Sequence, residues 1–158
     1  MAKRFITRNP SEFEDNYSIT PEQFQEMDKQ AKFALKWHVY DLDYGVPAEI
    51  DDWLKKGHSV IVNVSRMIIP EARKLYKNVK VIFIEVPIEL TIKRIMERGR
   101  EKGKSLKKRI ERAKKYQKYP EADFIVDNSK DLDHAISQFL DYIIRTIQEM
   151  VSSPSHHE

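Results

Sequence analysis

Apolar and polar positions along the chain follow two periods in turn, and the switching predicts strands alternating with helices. Residues 4–7, Arg-Phe-Ile-Thr, read as a short strand that enters a turn-rich acidic stretch from Asn9 to Asn16. Thr20-Pro21-Glu22-Gln23 carries a helix start. Thr20 is the N-cap, Pro21 stands where its missing N–H costs nothing, and Gln23 takes the capping-box position. Residues 33–39 read as a strand, followed by a turn over Asp41-Leu42-Asp43-Tyr44-Gly45. Pro47 is then expected to open a helix with Ile50, Trp53 and Leu54 on its apolar face and Gly57 at its end. β-Branched runs at 59–64 and 79–86, and a shorter run at 124–127, predict strands covered on both faces. Helices are expected between them at 70–76, 88–98 and 106–117. A last helix, 132–150, sets Ala135, Ile136, Phe139, Leu140, Ile143, Ile144 and Ile147 on one stripe. This order of elements predicts an α/β fold with a parallel sheet.

Composition narrows the class. At 158 residues, 41% of them apolar and 34% charged, the chain is expected to form a single soluble domain over 1–151, with a frayed polar tail at 152–158. The His156-His157 pair in that tail reads as accidental rather than metal-binding. The chain has no cysteine, which excludes disulfides, thiolate metal sites and thiol catalysis and agrees with a cytoplasmic setting. No apolar run approaches the ~20 residues of a membrane span.

Charge changes the picture more. Thirteen Lys and Arg stand against three Glu from Lys93 to Lys118, a local net of +10 in a chain whose total is +3. A stretch of nearly one sign repels itself unless a polyanion is near, so phosphate or nucleic acid is the natural partner. The plainer alternative is a lysine-rich solvated surface. Aromatics do not interleave the charges before Tyr116, which disfavours single-strand nucleic-acid stacking.

Four constellations carry candidate chemistry. Arg94 and Arg98 share a helix face, Gly99 turns the chain, and Arg109 returns from the next helix. Three guanidiniums at that spacing can clamp a phosphoryl group; they can equally be exposed arginines pairing with Glu97, Glu101 and Glu111. Gly99 to Ser105 ends in a tempting Gly-Lys-Ser. A phosphate-binding loop needs an earlier glycine where Arg98 stands, and a strand rather than a helix before it. Asn63, Ser65 and Arg66 lie at the carboxyl end of the expected strand 59–64, where open α/β sheets bind ligands, though Ser65 suits an ordinary helix cap as well. Trp37-His38 and Tyr44-Gly45-Val46 suit a polar pocket, while a tryptophan is as easily core and a histidine as easily structural.

Together these residues resemble the guanylate kinase superfamily from Arg4 to Ile144. Phe5-Ile6-Thr7-Arg8, Tyr17-Ser18-Ile19-Thr20 and Phe24 match the opening of its acceptor-binding region, about 4–46, and Tyr44-Gly45-Val46 its acceptor contact. Glu89 through Arg94, Glu97-Arg98-Gly99 and Lys108-Arg109 match its lid, about 94–118, and Asp127-Asn128 the end of its last strand. Within the superfamily the chain most resembles the ribose 1,5-bisphosphate phosphokinases of phosphonate breakdown, which make phosphoribosyl diphosphate from ATP. The local match is Phe33-Ala34-Leu35, Trp37-His38, Glu49-Ile50-Asp51, Trp53-Leu54, Gly57, Val62-Asn63, Ser65-Arg66 and Pro70. Guanylate kinases proper carry a second acceptor arginine at Ser11, a guanine-reading glutamate at Lys36 and acidic residues at Asn63 and Ser65. A purine acceptor is therefore disfavoured.

The resemblance implies ATP and Mg2+, with Arg8, Tyr17, Trp37, Tyr44, Gly45, Asn63, Ser65 and Arg66 at the acceptor and Arg94, Arg98 and Arg109 at the transferring phosphate. It also implies a first strand and a glycine-rich phosphate loop, which these 158 residues do not contain. Three alternatives follow: a start upstream of Met1, a partner or second copy supplying the strand, or a catalytically inactive binding module for an anionic partner. Without that strand, the expectation is that either apolar edges are exposed at 59–64 and 79–86 or those two strands are forced together.

Overall fold

The computed structural model describes residues 1–10, 14–99 and 102–152. Ser11, Arg100, Glu101 and the tail from residue 153, including His156-His157, lie outside the described residues. The chain divides into two compact units, Met1–Val79 and Lys80–Glu158.

The first unit is built on one sheet: β1 (Phe5–Ile6), β2 (Tyr17–Ser18), β3 (Phe33–Val39) and β4 (Leu42–Pro47), in spatial order β2-β1-β4-β3. β1 runs parallel to β2 and antiparallel to β4, and β3 and β4 form an antiparallel hairpin. The hairpin turns on two residues, Tyr40 (φ 54) and Asp41 (φ 58), both left-handed as a tight turn of matching twist requires. The expected turn over residues 41–45 is thus shorter than its sequence suggests. Leu42, Tyr44 and Val46 pair across to Val39, Trp37 and Leu35, so residues 42–47 continue as strand. Pro47 ends that strand instead of opening a helix, and α2 begins later, at Ile50–Lys55.

α1 (Pro21–Lys29) starts on the expected capping box: the Gln23 amide donates to Thr20 Oγ1 at 3.2 Å, and the Thr20 amide donates to Gln23 Oε1 at 2.8 Å. Its Phe24 stacks on Phe33 with ring centroids 4.5 Å apart, and Phe5 approaches Phe33 from β1 at 5.9 Å. The Phe33 ring so held lies directly over Gly45. A Cβ there would sit 2.4 Å from the ring, so glycine is needed for close packing.

Leu35, Trp37, Val46, Ile50, Ile68 and Ala72 form the core of this unit, with Val60, Val62 and Val64 packed partly against it. Those three valines produce the run that predicted a strand at 59–64. The structure assigns no strand there. The segment is extended and alternates its valines toward the core, but a ladder also needs a partner strand for the backbone, and among the described residues it has none. The Ala2 amide donates to the Ile61 carbonyl at 2.8 Å. A 3-10 turn, Arg66–Ile68, leads into α3 (Ile69–Leu75). The Tyr76 hydroxyl then donates to Asp51 Oδ1 at 2.7 Å, tying the end of α3 to α2. Burial, reinforced by that carboxylate, raises the phenol well above its usual pKa.

In the second unit β5 (Ile82–Glu85) and β6 (Phe124–Asp127) pair in parallel, Ile82 opposite Phe124. β5 is shorter than the run at 79–86 that foretold it, and β6 has the bounds its sequence gives. α4 (Ile88–Arg98) also ends where expected, on Gly99 in the left-handed conformation (φ 59), which a side chain would strain. α5 (Gly103–Lys115) begins and ends earlier than the apolar periodicity marked, and α6 (Leu132–Ser152) runs slightly past its expected end. Phe124 stacks on Tyr142 of α6 at 4.4 Å. α6 buries Ala135, while Ile136, Leu140, Ile144 and Ile147 of its predicted stripe are exposed, as are Ile84 of β5 and Ile125 of β6. No described helix is long and apolar enough to cross a membrane.

Two substitutions test these backbone demands by chemical denaturation. Gly45→Ala should cost about 1–3 kcal/mol, because Phe33 is pinned between two rings and cannot yield. Asp41→Gly should leave stability unchanged or raise it by up to about 1 kcal/mol, since the left-handed turn then carries no side-chain penalty.

Candidate functional site

The residues that open the chain build a polar cluster around Arg4. Ala2, Arg4 and Ile6 alternate onto the buried side of the first strand, so a guanidinium occupies a position in phase with apolar residues. Arg4 is 8% exposed. Its Nη2 donates to Glu14 Oε2 at 3.4 Å and its Nε to Asn16 Oδ1 at 3.3 Å. Arg8, past a bend in the chain, donates from Nη2 to the same Glu14 oxygen at 3.2 Å, and Asn16 Nδ2 donates to it at 3.1 Å. The Arg4 guanidinium also lies over the Tyr44 ring, 5.7 Å from its centroid. Burial pulls Arg4 below the usual arginine pKa, and the charge of Glu14 opposes that pull.

Of the expected acceptor residues, Arg8, Tyr17, Trp37, Tyr44 and Gly45 all lie on or beside this one sheet. Tyr17 stacks on Phe5 at 4.8 Å and is exposed at its other face. Trp37 and Tyr44 stack across the hairpin at 5.3 Å, nearly parallel. Trp37 itself is buried in the core, and its packing accounts for it fully. Gly45 likewise answers to Phe33. Lys36, beside them on β3, is held by Asp28 of α1 at 2.6 Å. His38 Nδ1 lies 2.7 Å from Asp43 Oδ1 on the exposed side of the hairpin, while the Asp43 amide donates to Thr7 Oγ1 at 2.8 Å.

Asn63, Ser65 and Arg66 belong to a different element, the extended run and the turn after it. Asn63 is exposed, and Ser65 stands at the N-cap of the 3-10 turn without using its hydroxyl as a cap. Arg66 is half-buried. A recess of about 280 Å3 in this unit is lined by Met1, Ala2, Trp53 and residues 58–61 and includes none of the expected acceptor residues.

The lid arginines occupy the second unit. Arg94 and Arg98 lie on α4, and α4 packs against α5, which carries Arg109. Arg94 Nη2 donates to the Asn128 carbonyl at 3.4 Å, and the Asn128 amide in turn donates to Glu85 of β5 at 2.9 Å. Arg94 thus contacts the backbone just past the end of β6. Arg98 is exposed at the last position of α4, and Arg109 is half-buried. α5 has Lys102 at its N-cap, no side-chain cap and no acidic residue in its first turn. Its positive dipole end thus meets further positive charge. At its other end Arg112, Lys114 and Lys115 face the carbonyl terminus, where cations are favourable.

Gly103 opens α5, but the element before it is the helix α4, so Gly103-Lys104-Ser105 lacks the strand-loop-helix geometry that cradles phosphate. Among the described residues no group of three or more acidic, histidine or cysteine side chains could hold a metal ion. The arginines match the charge of a nucleotide's phosphates; the donor set does not form a magnesium cage.

The Arg4–Glu14 pairing escaped the sequence reading, which took Arg4 only as the first residue of a short strand over 4–7. Its signal was a charge in the apolar phase of Ala2 and Ile6, four residues before Arg8.

Arginines on either side of β1 in one unit, and others on the paired helices of the second, mark an α/β protein with charge suited to phosphate. The family model for guanylate kinase matches residues 4–146, and the chain belongs to that family, which makes it a kinase, a phosphotransferase, by membership. Its relatives include ribose 1,5-bisphosphate phosphokinases. That of Rhodopseudomonas palustris is 39% identical over 112 residues, 71% of this chain and 58% of that protein. That of Pectobacterium parmentieri is 37% identical over 148 residues, covering 88% and 76%. That of Pseudomonas paraeruginosa is 32% identical over 145, covering 90% and 78%. The chain thus spans from just over half to about three quarters of these proteins. A guanylate kinase from Anaplasma phagocytophilum shares the fold, with a TM-score of 0.68 over 97% of this chain and 76% of its own, at 18% identity.

Proposed function

We propose that the chain is the acceptor-binding and lid portion of an ATP-dependent kinase whose acceptor is a phosphorylated sugar, ribose 1,5-bisphosphate, with phosphoribosyl diphosphate as product. In this reading residues 1–151 work as one domain in the cytoplasm, in phosphonate breakdown. An acceptor phosphate oxygen attacks the γ-phosphorus of ATP, a new P–O–P bridge forms, and ADP leaves. Arg8, Tyr17 and Tyr44 bind the acceptor, and Asn63, Ser65 and Arg66 orient it. Arg94, Arg98 and Arg109 meet the charge spread over the transferring phosphoryl oxygens. Magnesium, when bound with ATP, supplies further neutralisation of those oxygens.

The observation that carries the choice of acceptor is Lys36. Where a guanine-specific kinase places a carboxylate, this chain places an ammonium group, and Asp28 neutralises it at 2.6–2.7 Å. A cation so paired cannot accept hydrogen bonds from a guanine edge. Arg94 supports the lid reading, because its bond to the Asn128 carbonyl restrains the side chain and lowers the ordering cost of meeting phosphate.

Ribose 1,5-bisphosphate should therefore raise the melting temperature more than GMP at equal concentration. Greater stabilisation by GMP would replace the sugar acceptor with a purine one. The lid is tested separately with inorganic tripolyphosphate. Arg98→Ala and Arg109→Ala should each weaken binding about ten- to a hundredfold, since each removes charge-assisted bonds worth roughly 1.5–3 kcal/mol. Arg100→Ala and Lys102→Ala should matter much less. Equal small losses at all four positions would mean a diffuse basic surface.

A further inference from the structure

We propose that Glu14 is an exchangeable counter-ion: its carboxylate holds the place, between Arg4 and Arg8, that a phosphate group of the acceptor takes on binding. Arg4 is then a second acceptor-binding guanidinium, which rests on the acceptor reading for Arg8 and extends it to two further residues.

The geometry of the pairing points this way. Arg4, Arg8 and Asn16 all donate to a single oxygen, Glu14 Oε2, at 3.4, 3.2 and 3.1 Å. Charge-assisted bonds close to roughly 2.7–2.9 Å when donor and acceptor match. Here two guanidinium forks crowd one oxygen and neither reaches that distance. A phosphate offers three oxygens on one centre, enough to give each fork its own partner.

Exposure identifies the group that can leave. The Arg4 side chain is 10% exposed, Arg8 26% and Glu14 30%. The arginine on the strand is fixed, with Tyr44 beneath it, while the carboxylate has the most access to water. Arg4 cannot escape its charge by losing a proton, so some anion must remain beside it.

Charge then decides between addition and exchange. Among the described residues, two guanidiniums and one carboxylate leave the cluster at +1. A phosphate dianion joining them would carry it to −1, with two anions in contact. A dianion replacing the carboxylate leaves the cluster neutral, and Glu14 returns to water, where its charge is well solvated. Exchange is favoured on both counts. Arg4, the residue just before β1, would also supply a second fork, which guanylate kinases proper take from the arginine they carry where this chain has Ser11.

The test titrates inorganic phosphate and, separately, ribose 1,5-bisphosphate into the full chain by calorimetry, with each variant's fold checked by circular dichroism. Glu14→Gln keeps the size and removes the competing charge, so it should bind phosphate roughly five- to tenfold tighter than wild type. Arg4→Lys keeps the charge and removes the fork, and should weaken binding about tenfold in either background. A folded Glu14→Gln that binds phosphate no tighter than wild type overturns the exchange and leaves Glu14 as a structural ion-pair partner. A second measurement needs no substitution. Phosphate added to nitrogen-labelled wild-type chain should shift the Nε–H resonances of Arg4 and Arg8 together, and a shift at Arg8 alone overturns the role given to Arg4. The two proposals fail in different ways. Phosphate binding tightened by Glu14→Gln but with GMP preferred to the sugar bisphosphate supports the exchange and defeats the sugar acceptor. Bisphosphate binding that Glu14→Gln does not tighten defeats the exchange alone.

Discussion

A guanidinium held nine-tenths out of water is the constraint on which the first unit's polar architecture depends. Arginine stays charged at any ordinary pH, and removing an isolated charge from water costs several kcal/mol even after relaxation. Arg4 therefore dictates what must surround it. Glu14 supplies charge, Asn16 a neutral acceptor and Tyr44 a ring face. The backbone brings them in: the Tyr17 amide donates to the Arg4 carbonyl at 2.8 Å, so the parallel pairing of β1 with β2 delivers residues 14–18 to Arg4. Ladder and ion pairs are one cooperative unit. Arg8, reached after the chain bends at Thr7, joins the same carboxylate because the bend turns an extended strand back on itself.

How much of this was legible in the sequence follows from the range of each interaction. The capping box at Thr20, the end of α4 at Gly99, the strand at 33–39 and the strand at 124–127 are set by neighbours within a few residues, and each stands where its local pattern put it. The turn after Val39 was misplaced because Asp41 and Asp43 both suit turns. Only the pairing of Trp37 with Tyr44 decides that the reversal is complete by Leu42. The run at 59–64 failed for the opposite reason. Its valines do pack partly against the core, but strand identity depends on a backbone partner that side-chain periodicity does not encode. The apolar stripe of α6 has four of its seven residues exposed, since periodicity gives the direction of a face and not its cover.

The site was legible unevenly as well. Arg8, Tyr17, Tyr44 and Gly45 were proposed from their order and spacing, and all four lie on or beside one sheet. Trp37 and Gly45, however, each have a sufficient packing reason to be what they are, so their presence alone says little about ligand contact. Arg4 and Glu14 were missed because their meeting spans ten residues of turn-rich chain, with no periodicity to carry the signal. Lys36 was noticed as a departure, and the structure adds that Asp28 neutralises it.

The two arginine groups represent different electrostatic solutions. The first is internally compensated and partly buried, so its geometry is set by the fold and salt reaches it poorly. The second is on helices whose surface is mostly solvent-facing, and the exposed Lys93–Glu97 pair at 3.8 Å does little to offset it. α5 begins with Lys102 and Lys104 at its positive dipole end and ends with cations at its negative one, so only half of its charge assists the helix. Acidic residues at the start of α5 would stabilise it, as Glu22 does in α1, where the helix's own backbone hydrogen bond and then the Thr20 hydroxyl hold the carboxylate below its usual pKa. Their absence leaves an unbalanced field extending over roughly one Debye length, about 8 Å at physiological salt. Such a field draws polyanions from solution but discriminates little among them. The compensated cluster has the reverse character: an incoming anion must outcompete a carboxylate already in contact, so charge, shape and oxygen count are all tested. On the proposed exchange, selectivity would rest with Arg4 and Arg8, which an anion reaches only by displacing Glu14, while the basic helices would add long-range attraction.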